Sequence, residues 1–169
     1  MSEQVELTDP IDHSVGGIYG HLFRRGFHVG MSILPFLYYE YGNAISDTFS
    51  MSRLQFVSVM VLALVIGEAI RLKLGITIFG QRDYESKQVS ALAWGAFAIG
   101  ITFLVISDYP ELVWPLILSL SLGDPFIGEV RRKGYESRTV FIIGSIFIAG
   151  IWLASGYLIE TPYLLAILM

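Results

Sequence analysis

The sequence predicts an all-α, polytopic integral membrane helical bundle with five clear spans and a partial sixth, and three observations predict it. Hydrophobic residues make up 54% of the chain and charged residues 15%, and the mean hydropathy is +0.62, which is more apolar sequence than a soluble domain of this size can bury. Five stretches approach the ~20 mostly apolar residues that a spanning helix needs. Ten of the eleven Lys and Arg residues, all except Arg53, fall in segments that alternate to one side of those stretches. That asymmetry is the positive-inside pattern, with the N-terminus and the basic loops in the cytoplasm.

In chain order, residues 1–15 read as a short mobile tail. The tail carries Glu3, Glu6, Asp9 and Asp12 and no base before Arg24, the wrong charge for the start of a cleavable signal peptide. Residues 16–169 read as a single transmembrane helical domain. The first stretch, 18–41, is polar in its opening half, and the second, 53–72, is apolar until Glu68. The third, 89–106, and the fifth, 140–157, are clean spans. The fourth, 112–129, is interrupted by Gly123, Asp124 and Pro125. A last apolar run, 163–169, is too short to cross, so it reads as a partial helix or as a span cut short. Loops 42–52 and 107–111 fall outside, and loops 74–88 and 130–139 fall inside. Trp94, Trp114 and Trp152 are suited to the interfaces, and Gly95, Gly100, Gly144 and Gly150 to close helix packing.

Composition also excludes chemistry. With no cysteine, there is no disulfide, no thiolate metal site and no thiol nucleophile. A zinc site would have to be built from His13, His21 and His28, of which the first lies in the tail. The bases are interleaved with spans and lack a soluble module to present them, so nucleic acid is not an expected partner.

Charges at membrane depth are costly and usually face a wet cavity or a partner. Three places qualify. In Gly20-His-Leu-Phe-Arg-Arg-Gly-Phe-His28, spacings of three and four align His21, Arg24 or Arg25, and His28 on one helical face. The arginines there either bind phosphate or snorkel to headgroups. Glu68 and Arg71 are three apart and able to pair, either as a structural ion pair or as a carboxylate that holds a metal or orients an arginine. The third place is Ser119-Leu-Ser-Leu-Gly-Asp124-Pro-Phe-Ile-Gly-Glu129, which runs into Arg131-Arg-Lys-Gly-Tyr-Glu-Ser-Arg-Thr139. Gly123 and Pro125 predict a kink or break beside Asp124. A carboxylate beside a basic, glycine-containing loop offers oxygen for a divalent ion and cations for phosphates. A purely structural kink is the alternative.

Taken together, His21-Leu-Phe-Arg-Arg-Gly-Phe-His28, Glu68-Ala-Ile-Arg71 and Gly123-Asp-Pro-Phe-Ile-Gly128 with its basic sequel resemble the CTP-dependent polyprenol kinase family, which includes dolichol kinase, phytol kinase and the CTP-dependent diacylglycerol kinase. The resemblance covers about residues 18–150. It implies a membrane-embedded enzyme that transfers the terminal phosphate of CTP to a polyprenol or similar lipid alcohol at the cytoplasmic face, with Mg2+ as cofactor. It assigns the metal to Asp124 with Glu129 or Glu68, and the triphosphate to Arg131, Arg132, Lys133, Ser137, Arg138 and Thr139. Arg24 or Arg25 would reach the transferred phosphate, and His28 or Asp124 would take the hydroxyl proton. The basic loop is less glycine-rich than in the family, whose members also continue past the run at 163–169 into a polar segment and a last helix.

The expected partners are a lipid alcohol, a nucleotide and membrane lipids, with homo-oligomerisation left open. The rival enzyme is a CTP-dependent lipid cytidylyltransferase, which releases pyrophosphate rather than CDP. The Asp-Gly-x-x-Ala-Arg signature of CDP-alcohol phosphotransferases is missing. Outside enzymes, a small transporter or membrane scaffold would use Glu68, Asp124 and His28 as an ion path, although no internal repeat accompanies them.

Overall fold

Local capping chemistry turns the apolar stretches into helices with defined ends. The computed structural model describes residue 11 and residues 13–159. Five helical runs follow one another: α1 (Gly17–Thr48), α2 (Arg53–Leu74), α3 (Ala91–Ile106), α4 (Pro110–Arg132) and α5 (Ser137–Ile159). The hydroxyl of Ser52 accepts from the Gln55 backbone N–H, and the Gln55 side chain accepts from the Ser52 N–H, so a capping box starts α2. Gly75, at φ +63°, ends it in the left-handed conformation. Ser90 starts α3 by accepting from the Ala93 N–H.

α1 is not uniform. Its α-helical segment Gly17–Gly30 passes through a 3-10 turn at Met31–Ile33 and a π turn at Leu37–Tyr41 before Gly42–Thr48. Pro35 explains the change of pitch: it has no N–H for the carbonyl of Met31, which is met instead by Leu34.

The all-helical class holds, but the span count is corrected. α4 and α5 are long and apolar enough to cross a membrane, whereas α1 and α2 reach that standard only as one pair bent by 83° across residues 49–52. α3, expected as a clean span, has 16 residues, about 24 Å of helix, which is less than the ~30 Å of a hydrocarbon core. Its length is set by Ser90 at one end and by Ser107 and Asp108 at the other. Two or three candidate spans therefore replace five, and the run at 163–169 lies outside the described residues. The break expected beside Asp124 is also absent, because α4 continues through both Pro115 and Pro125.

The interior forms where α1, α3 and α4 meet: Met31, Tyr38, Ile99, Phe103, Val113 and Ile117 make one buried cluster. Tyr38 stacks on Phe103 at 4.4 Å between ring centroids. α4 packs most extensively on α5, where Phe126 stacks on Phe147 at 4.0 Å. Trp152 is buried rather than placed at a surface. Of the residues read as tail, 1–10 and 12 lie outside the described residues. Val15 donates to the Gln81 carbonyl, and Asp83 donates to that of His13, so the chain just before α1 is tied to the loop that precedes α3.

Candidate functional site

The loop between α2 and α3 is organised by two arginines and two carboxylates. Arg71, buried near the end of α2, uses all five of its N–H donors. Two go to the Glu68 carboxylate at 2.8 Å each. The others go to the carbonyls of Ile76, Glu85 and Gln88. Glu68 also accepts from the Ser90 N–H at 2.6 Å. The pairing read from the three-residue spacing is thus present, and it ties α2 to the loop and to the start of α3.

The second hub, Glu85, went unnoticed in the sequence. It is 2% exposed and accepts from Arg24 at 3.0 and 3.1 Å, from the Arg82 N–H and from the Ala91 N–H at the start of α3. The only sequence signal was its position three residues after Arg82 at the start of a short helical turn, a capping arrangement. Nothing nearby pointed to Arg24. Arg24 is therefore committed to Glu85, while its neighbour Arg25 faces α4.

Arg25 Nε donates to His21 Nε2 at 2.8 Å and lies 2.9 Å from Glu129 Oε1. Its Nη1 donates to the Pro125 carbonyl. The guanidinium lies across Gly128, where an added β-carbon would stand 3.2 Å from Nη2. The other oxygen of Glu129 pairs with Arg132 at 2.9 Å. His21 Nε2 also lies 3.4 Å from Glu129 Oε1, so the imidazole is held between the guanidinium and the carboxylate. Arg25 thus bolts α1 to α4 beside the proline.

One turn further along the face that carries Arg24, His28 is 5% exposed and neither ring nitrogen has a hydrogen-bond partner among the described residues. Gly95 of α3 admits the ring: a β-carbon there would meet His28 Cε1 at 3.3 Å. On the other side, His28 Nδ1 is 4.0 Å from Asp124 Oδ2. That is too far for a direct hydrogen bond, but a small polar group can bond to both. Asp124 itself is open, its side chain 70% exposed. An unpartnered buried imidazole costs about 1–3 kcal/mol, a cost that binding such a group would remove.

The remaining predicted residues divide. Arg131 lies seven residues after Asp124, hence on the same helical face and about 10 Å along it. Arg131, Lys133 and Arg138 are exposed, and among the described residues their side chains have no partner. Ser137 is exposed and Thr139 half-buried at the start of α5. No three His, Asp or Glu side chains among the described residues come together as metal ligands, so Asp124, Glu129 and Glu68 do not form one cluster. Glu68 belongs to Arg71, and Glu129 to Arg25 and Arg132.

Two hollows flank the contact of His28 with Gly95. On the basic side is a cleft of about 490 Å³ that includes Arg24, Arg82, Glu85, Gln88 and Trp94. Beyond the contact, an apolar groove of about 360 Å³ runs between α1, α2 and α3, from Leu34, Leu64 and Ala96 toward Arg53. No family model matches the chain, and neither a curated protein nor a solved structure does.

Proposed function

We propose that the chain is a membrane-embedded lipid-alcohol kinase of the CTP-dependent polyprenol kinase type. The observation that carries this reading is His28, a buried base with no hydrogen-bond partner among the described residues, 4.0 Å from an exposed carboxylate and on helices that line a polar cleft before it and an apolar groove beyond it. A proton acceptor at such a junction suits a reaction between a water-borne phosphate donor and a membrane-borne hydroxyl. A transporter path is less well supported, because Glu68, one of its three groups, is consumed by Arg71.

In this reading the hydrocarbon tail of the alcohol occupies the groove and its hydroxyl reaches His28. His28 accepts the hydroxyl proton while the oxygen bonds to the terminal phosphorus, and the bond from that phosphorus to the bridging oxygen breaks to release CDP. Arg131, Lys133 and Arg138 hold the phosphates. Arg25 is a positioning residue that fixes α1 against α4 and so sets the spacing of His28 and Asp124. A single free carboxylate fits a magnesium ion that arrives on the nucleotide, since Mg2+ is commonly held by one or two carboxylates together with phosphates and water. Bound there, the ion supplies charge neutralisation.

The test is transfer of label from γ-labelled CTP to a prenol by the purified chain in lipid. Asp124→Asn is expected to lower transfer by at least about a hundredfold with little change in thermal stability, because the side chain is exposed. Full activity in that variant would sink the assignment, and release of pyrophosphate instead of CDP would identify a cytidylyltransferase.

A further inference from the structure

We infer that the cleft between α1 and the start of α3 is a nucleobase subsite, in which Trp94 stacks on the base and the Gln88 amide reads its edge. The inference rests on the kinase reading and concerns the end of the nucleotide opposite the reacting phosphate. The cleft lies in the right place. Arg24 and Ala91 line it, and four residues further along the same two helices His28 and Gly95 touch. A ligand in the cleft therefore sits about one helical turn from the pair formed by His28 and Asp124.

The chemistry of the cleft suits a heterocycle better than a triphosphate. Its most buried groups, Arg24 and Glu85, neutralise each other at 3.0 Å, so they offer no net charge to an anion. Trp94 is 59% exposed and Tyr84 46%, and both present ring surface to the hollow. Bases stack on such rings whatever their sequence identity. The backbone carbonyl of Gln88 is held by Arg71, while its side-chain amide makes no hydrogen bond among the described residues. That amide offers one acceptor and two donors on a fixed stretch of chain. Arg82, whose guanidinium donates to the Tyr84 hydroxyl and lies 5.8 Å from the centroid of that ring, has no carboxylate partner among the described residues and stands where a sugar or the first phosphate would follow. The unpaired cations of the turn between α4 and α5 remain for the other phosphates.

The experiment compares two ligands that differ only in having a nucleoside. Binding of CTP and of inorganic tripolyphosphate, each with magnesium, is measured by calorimetry on the full chain in detergent. Trp94→Ala is expected to weaken CTP on the order of tenfold and to leave tripolyphosphate unchanged, with Trp94→Phe recovering most of the loss. Because Trp94 is exposed, these variants are expected to fold, and thermal unfolding checks that. Equal effects on both ligands, or on neither, would overturn the subsite and leave Trp94 an interfacial anchor while the kinase reading stands. Failure of the wild-type chain to bind either ligand would overturn both.

Discussion

Two basic segments close the same end of the molecule and meet opposite fates. Between α2 and α3, Arg71 spends every donor on the loop and on Glu68, and Glu85 draws Arg24 across from α1. Between α4 and α5, Arg131, Lys133 and Arg138 stay exposed and have no partner among the described residues. Buried carboxylates make the difference. The first segment has Glu68 and Glu85, both well covered. The second has Glu129, which Arg25 and Arg132 already share. Cation density alone therefore says little about ligands. What matters is how many acids fold in beside the bases.

The largest expected effect breaks the closed segment. Glu85→Ala takes the acceptor from the half-buried Arg24 guanidinium and from the Ala91 N–H, and loss of one partner of such a pair costs at most about 3–5 kcal/mol, the figure for full burial. Thermal unfolding followed by circular dichroism in detergent is expected to show a large drop in midpoint. An unchanged midpoint would mean that the latch carries no weight. The matching change in the open segment, Arg131→Gln with Lys133→Gln and Arg138→Gln, is expected to stay within about 0.5 kcal/mol of wild type, as exposed substitutions usually do.

That triple substitution sharpens the comparison in the other direction. If the open cations hold phosphates, losing three of them removes charge-assisted hydrogen bonds worth about 1.5–3 kcal/mol each, discounted here because the residues are exposed. The KM for CTP is expected to rise at least about tenfold while the unfolding midpoint holds. Raising ionic strength should mimic the loss in the wild-type chain by screening. A KM insensitive to both would move the phosphates elsewhere, with Arg25 and Arg82 the next candidates.

What could be read from the sequence followed the range of the forces involved. The ends of α2 lay within two residues of expectation, because Ser52, Gln55 and Gly75 act on their own neighbours. Glu68 with Arg71 was readable for the same reason, being one helical turn apart. The shortness of α3 was harder to see: Val89 is as apolar as the helix it precedes, yet the Ser90 cap excludes it. The continuity of α4 was hidden altogether. Pro125 signals a break because it has no N–H for the Ser121 carbonyl, yet α4 runs on through it, and the guanidinium that reaches the proline's own carbonyl comes from Arg25, a hundred residues earlier. Glu85 was hidden likewise, since Arg24 lies sixty-one residues away. Spacing showed candidate residues and not their grouping: His28 and Asp124 come within 4.0 Å, whereas adjacent Arg24 and Arg25 point to different partners.

The smallest expected effect tests that division at Gly128. A β-carbon there would stand 3.2 Å from Arg25 Nη2 and 3.5 Å from Nη1, tighter than ordinary contact, and the guanidinium is the far end of a flexible side chain that can retreat by a few tenths of an ångström. Alanine is favoured over glycine inside a helix by about 1 kcal/mol, so Gly128→Ala is expected to keep or raise the unfolding midpoint. The retreat draws the fork from the Pro125 carbonyl and Glu129 and lets α1 shift against α4, which changes the 4.0 Å separation of His28 and Asp124. Small misplacements of reacting groups are costly, and a fall of roughly threefold in transfer rate is expected at saturating CTP, with KM unchanged. A variant that is more stable and equally fast would show that Arg25 need not be held in place. A less stable one would show that the glycine serves packing alone.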